Sequence, residues 1–223
     1  MVYVLFIVIA LVSFAVQRTL QSKFERYSKI PIPYGLTGRD IAMRMLQENG
    51  INDVSVTQVD GHLTDHYNPA THTVNLSRDV YYGNSVAAAA VAAHECGHAI
   101  QHATNYVPLN LRSAIVPVAN IGSTLSWPLF LAGLIFSIRP LLTVGIILFT
   151  FAVLFQLVTL PVEFNASSRA LKMLGSSGML GADEVKGARK VLTAAALTYV
   201  AALASSILQL LRLIILAGGR DRD

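Results

Sequence analysis

The chain is short of charge. Only 13% of its 223 residues are Asp, Glu, Lys or Arg, against 53% hydrophobic residues. Its mean hydropathy is +0.53. Soluble domains usually carry about 25% charged residues, so the composition points away from them and toward a membrane protein. Cysteine is almost absent too. The single Cys96 excludes an intrachain disulfide, and within its Ala-rich run it reads as a small buried apolar residue. No basic run with interleaved aromatics occurs, and the net charge is only +4, so no nucleic-acid partner is expected. There is no internal repeat and no low-complexity linker. No basic stretch precedes the first apolar run, so a cleaved signal peptide is not expected either.

What the chain does have is four apolar stretches. Residues 1–16 read as an N-terminal transmembrane anchor. Residues 115–162 hold two more spans, one near 115–138 with Pro117 and Pro128, the other "PLLTVGIILFTFAVLFQLVTLPV". A fourth lies within residues 191–223 and is followed by a polar tail. At about 1.5 Å per residue, the last three can each cross about 30 Å of hydrocarbon. Arg212 interrupts the fourth, which either spans with Arg212 snorkelling or packs against the others. Arg18, Lys23, Arg26 and Lys29 follow the first stretch, and Arg169, Lys172, Lys186, Arg189 and Lys190 follow the third. The positive-inside rule therefore places residues 17–114 and 163–190 in the cytoplasm, as two soluble segments of a multi-pass cell-membrane protein.

Residues 17–114 form the main polar region. "TGRDIAMRMLQENG" predicts a short helix with Thr37 as its cap and Ile41, Met45 and Leu46 as its apolar face. "DVSVTQVDG" alternates like a strand. "LTDHYNPATHTVNLS" predicts a β-hairpin, with arms at 63–67 and 72–76 about the turn "NPAT". Ser85 can cap the next helix, expected over about 86–103.

That helix carries "VAAHECGHAIQH". Residues four apart share one helix face, so His94 and His98 can offer imidazoles to one ion. Glu95, turned about 100° away, can reach a water on that ion and act as general base. Two histidines and a glutamate in this spacing point to Zn2+ and peptide hydrolysis. His102 continues the spacing, yet lies about 12 Å along the axis from His94, too far to share an ion. Glu163 in "PVEFNASSRA" is the only carboxylate between Glu95 and Asp183. The topology brings it to the same membrane face, which makes it the candidate third ligand.

The pair "VAAHECGHAIQ" and "PVEFNASSRA", with "DHYNPATHTVNLS" upstream, resembles the YugP-like family of bacterial membrane zinc metallopeptidases. A wider similarity is to the HtpX and CAAX prenyl endopeptidase type of gluzincin, whose second motif is ExxAD. The resemblance implies His94, His98 and Glu163 as ligands and Glu95 as base. Ala166 matches the alanine of ExxAD, but Ser167 stands at its aspartate, so the aspartate's role must pass to Ser167 or elsewhere. It also implies a mainly α membrane protein of about four transmembrane helices with a small α+β gluzincin-like zinc-peptidase region. Its substrate is expected to be a peptide or membrane protein at the lipid bilayer, held in extended form against the hairpin edge. A second copy of the chain or another membrane protein is the other partner considered.

His66, Asn165 and Arg169 are candidates for oxyanion stabilisation, and His102 and Ser167 for supporting the ligands. His62 and His72 read as surface or hairpin residues. Two other readings compete. One is a scaffold or transporter holding a structural metal, which would need four protein ligands. The other is an intramembrane protease of the site-2 kind, which would need the motif helix to span.

Overall fold

The computed structural model describes residues 2–218, and side chains for residue 5 and residues 7–218. The polar region folds as its sequence pattern demands. Helix α2 (Gly38–Glu48) opens with a capping box: Thr37 Oγ1 accepts from the Asp40 N–H at 3.2 Å, and Asp40 Oδ2 accepts from the Thr37 N–H at 2.9 Å. Its buried face is Ile41, Ala42, Met45 and Leu46. Strands β1 (Ser55–Val59), β2 (His66–Asn68) and β3 (Thr73–Ser77) form one sheet in the order β1-β3-β2. β1 runs parallel to β3, and β2 antiparallel, with Tyr67 opposite Val74. The hairpin is therefore present, with its first arm confined to β2 because Leu63 takes a left-handed backbone conformation (φ 55°). The Asn68 side chain closes the turn by accepting from the Ala70 N–H at 3.0 Å. β2 is an edge strand.

A single turn, α3 (Arg78–Tyr81), leads to α4 (Val86–Ala103). Ser85 caps α4, accepting from the Ala88 N–H at 3.2 Å. The run of alanines then lets neighbouring helices approach closely. α4 is buried among α2, α6 and α7, and Ala87–Ala90, Ala92 and Ala93 join the main core with Met45, Val74, Leu76, Leu174 and Val191.

The remaining helices are long. α1 spans Val2–Tyr27, α5 Val107–Ile135, α6 Arg139–Ser176 and α7 Ala182–Gly218. Among the described residues, α5, α6 and α7 are long and apolar enough to cross a membrane. The expected first span falls partly on residues whose side chains lie outside those described. The described part of α1 exposes Ile7, Leu11 and Phe14, and the helix packs along α7. α5 and α6 pair tightly, with Gly122 against the Leu148 backbone and Gly145 against that of Ser126.

The helices run past the apolar stretches: α1 continues to Tyr27, α5 begins at Val107, α7 begins at Ala182, and residues 163–176 are the last turns of α6, whose 38 residues run unbroken through Pro161. Proline removes one helical N–H, a loss that neighbouring helices can offset. The residues beyond it, "EFNASSRALKML", include enough good helix formers to continue.

Candidate metal centre

The site is built where α4 crosses α6. His94 and His98 sit one turn apart, their rings edge to face with centroids 4.8 Å apart. α6 brings Glu163 to them, nearly buried at 3% exposure. Glu163 Oε2 lies 3.1 Å from His94 Nε2 and 3.6 Å from His98 Nε2. The three groups offer ligand atoms within 4.8 Å of one another.

The other ring nitrogens are already engaged. His94 Nδ1 pairs with Ser167 Oγ at 3.1 Å, and His98 Nδ1 with Gln101 Oε1 at 3.0 Å. Such partners fix ring orientation and leave each Nε2 lone pair directed at the common point, as in metal sites. Burial works against charge on His98, but the Glu163 carboxylate beside it, with Glu95 nearby, outweighs this and raises its pKa. The centre is thus negative and suited to a cation. Two imidazoles and one carboxylate fit Zn2+, and three protein ligands leave a tetrahedral ion one open position.

Glu95 does not join this cluster. It is buried, and its Oε2 accepts the Tyr67 backbone N–H at 3.0 Å. Strand β2 thereby fixes the carboxylate beside the ligands. Asp65, just before β2, accepts from the N–H and hydroxyl of Ser77. Its pKa is raised, first by burial and further by the charge of Glu95, although the Ser77 bonds pull the other way.

A cleft of about 500 Å³ exposes the centre, lined by Tyr67, His94, Glu95, His98, Glu163 and Tyr199 among others. A larger, more open hollow of about 760 Å³ lies by Phe24, His62 and Arg78. Among the described residues, the one group of three converging metal-ligating side chains, His94, His98 and Glu163, lines the smaller cleft and not this hollow.

The supporting residues fall into two places. His66, exposed and bonded through Nδ1 to the Thr64 carbonyl at 2.8 Å, stands at the cleft wall. His102 is no part of the cluster: its Nδ1 pairs with the Tyr67 hydroxyl at 2.8 Å, and its ring packs edge-on to His72. Asn165 and Arg169 line no part of the cleft. They stand behind His98, with Gln101 Nε2 donating to Asn165 Oδ1 at 3.0 Å and Arg169 Nε donating to the same atom at 2.8 Å. Ser167 stands beside His94, bonded to its Nδ1. His62 pairs with Asp79 and His72 with Asp53 at the surface. Cys96 is fully buried, and burial pushes its thiol pKa up, so it is no nucleophile.

Four residues of the site escaped the sequence reading. Gln101 has a local signal, its spacing of three from His98. Asp65 and Arg112 have none. Tyr199, on α7, lines the cleft together with Glu163 from 36 residues away in the chain. Arg112 is the sole Lys or Arg among the described residues lining the cleft; its guanidinium lies over Phe155, and its Nε is buried without a hydrogen-bond partner.

Comparison with known proteins agrees with this chemistry. Residues 2–218 match the model of a family described as "Putative neutral zinc metallopeptidase". The chain is 50% identical over 212 residues to "Putative membrane protease YugP" of Bacillus subtilis (strain 168), covering 95% of this chain and 94% of that protein. No solved structure matches.

Proposed function

The chain belongs to the neutral zinc metallopeptidase family, and on that premise we propose that it is a membrane-embedded zinc-dependent endopeptidase. His94, His98 and Glu163 hold the ion, and Glu95 is the general base. The observation that carries this reading is the convergence of the two Nε2 atoms on one Glu163 oxygen, with Glu95 held beside them by a separate hydrogen bond. Zinc, when bound, supplies a water acidic enough to lose a proton near neutral pH. Glu95 takes that proton and returns it to the leaving amine. The Tyr67 N–H keeps the carboxylate aimed while it does so. Tyr199, which lines the cleft, offers a hydroxyl able to donate to the substrate's carbonyl oxygen as charge builds there. The exposed edge of β2, at the cleft wall, suits an extended peptide laid alongside it.

We read α5, α6 and α7 as spans with α1 as a fourth, and the basic residues at 18–29 and 169–190 support a cleft at the cytoplasmic surface of the membrane. Peptides and membrane proteins near that surface are the substrates. The organisation is an anchor (1–16), a cytoplasmic region (17–114), two spans (115–162), a cytoplasmic segment with the third ligand (163–190) and a last span with its tail (191–223). Two observations weigh against the alternatives. α4 has only 18 residues and is enclosed by protein, unlike the spanning motif helix of an intramembrane protease. Three ligands rather than four fit a working metal better than a structural one.

The deciding experiment compares the purified wild type with Glu95→Gln. Both should hold about one zinc per chain by elemental analysis. The variant should lose casein cleavage by about 100-fold or more. Cleavage at the wild-type rate by Glu95→Gln, or a wild type that takes up no zinc, overturns the reading.

A further inference from the structure

A small chamber opens beside the metal cleft. Its volume is about 130 Å³, and most of its lining is apolar: Leu20 and Phe24 of α1, Leu63, Val91 of α4, and Val191, Leu192 and Ala195 of α7. It shares four residues with the cleft, namely Asp65, His94, Glu95 and Tyr199. We propose that this chamber receives one aliphatic side chain of the substrate, from a residue flanking the bond to be cut, and so sets cleavage preference. The inference rests on the peptidase reading and adds a substrate class to it.

Position is the first argument. His94 is a ligand and Glu95 the base, and both form the chamber's wall. A side chain seated there belongs to a residue next to the reacting carbonyl. Size is the second. An apolar cavity of about 150 Å³ accepts a benzene ring. About 130 Å³ therefore suits a Leu, Ile or Met side chain and is tight for an indole. Chemistry is the third. The lining is apolar apart from the four residues shared with the cleft, of which Asp65 and Glu95 are both acidic, so an acidic side chain is repelled while an aliphatic one gains by burial. Ala195 is the smallest of the lining side chains, so a bulky residue there would take up the chamber's space. Because α1 and α7 form one wall, the pocket exists only with those helices in place, which ties selection of the side chain to the membrane-bound enzyme.

The test uses the full-length zinc-loaded protein in detergent. Three small hydroxamates, alike except for a side chain of hydrogen, isobutyl or carboxymethyl, are titrated calorimetrically. The isobutyl compound should bind roughly tenfold or more tightly than the unsubstituted one, and the carboxymethyl compound more weakly than either. Ala195→Phe, which fills the chamber, should erase the isobutyl advantage. Leu63→Ala, which widens it, should let a benzyl compound gain, and it serves if Ala195→Phe does not fold. A wild type that binds zinc and hydroxamate without preference sinks the pocket alone. So does a ranking unchanged in the variants. A wild type that holds no zinc sinks the peptidase reading and this inference with it.

Discussion

Gly97 of α4 lies against the backbone of Ala166 of α6. A methyl group in place of its hydrogen would fall 2.6 Å from the Ala166 carbonyl oxygen and 3.1 Å from its Cα. Gly97 stands between the two histidines in sequence, and Ala166 three residues after Glu163. The contact is where the two halves of the metal centre are drawn together.

Gly97→Ala should therefore act on the metal as well as on the fold. The obstacle is backbone rather than the end of a flexible side chain, so the helices must part. Overpacking of this kind costs about 1–3 kcal/mol, which a thermal melt in detergent will report. Zinc affinity, measured by competition with a chelator, should drop by about 10- to 100-fold, as for loss of ligand positioning. Unchanged affinity would show that this helix contact is not what places Glu163.

Gln101 joins the two helices by a second route. It bonds three groups: its Oε1 pairs with His98 Nδ1 at 3.0 Å, and its Nε2 donates to the Val162 carbonyl at 2.8 Å and to Asn165 Oδ1 at 3.0 Å, the atom that Arg169 also reaches. It is completely buried. Gln101→Leu keeps the bulk but leaves His98 unoriented and the Val162 carbonyl without this donor. A loss of about 10- to 100-fold in zinc affinity or in turnover is expected. Ser167→Ala, which removes one bond to the half-buried His94, should cost less. If Gln101→Leu binds zinc as the wild type does, the network is structural only.

How far the sequence could be read follows from range. Thr37 and Ser85 as caps, the buried face of α2 and the hairpin depend on neighbours in the chain, and all are present. His94, Glu95 and His98 share one helix, so their spacing sufficed. Glu163 was reachable by elimination, as the one acid near the right membrane face. Its setting was not: the apolar stretch stops at Val162, yet α6 runs on to Ser176. Asn165 and Arg169 showed their polarity but not their direction, and they turned toward His98 rather than the cleft. Tyr199 and Arg112 sit in apolar helices far along the chain, and only packing brings them to the site.

Asp65 should give the protein a pH-dependent stability. Its folded pKa is raised above the ordinary 3.8. Below that value it is protonated in both folded and unfolded states, and it adds nothing against stability. As pH rises through the folded value, the folded protein must ionise a buried carboxyl, and stability falls. Asp65→Asn keeps an acceptor for the Ser77 N–H and removes the titration. The variant's melting temperature relative to wild type should therefore climb between pH 4 and pH 7. A difference that stays flat over this range would show that Asp65 titrates as an ordinary surface acid.

Tyr67 separates what its backbone does from what its side chain does. The N–H donates to Glu95, and the hydroxyl pairs with His102. Tyr67→Phe deletes only the second bond, at the half-buried cleft wall, and should keep turnover within a few-fold. Tyr67→Pro deletes both, so its loss beyond that of Tyr67→Phe reports the first. Because β2 is an edge strand, proline is tolerated there more readily than in the sheet interior. A hydrogen bond to a charged acceptor is worth about 1.5–3 kcal/mol, so turnover should fall roughly 10- to 150-fold. Zinc content should not change, since none of the three ligands is touched. Wild-type turnover in Tyr67→Pro would mean that the carboxylate finds its working position without strand β2. Lost zinc would mean that β2 supports the ligands as well as the base.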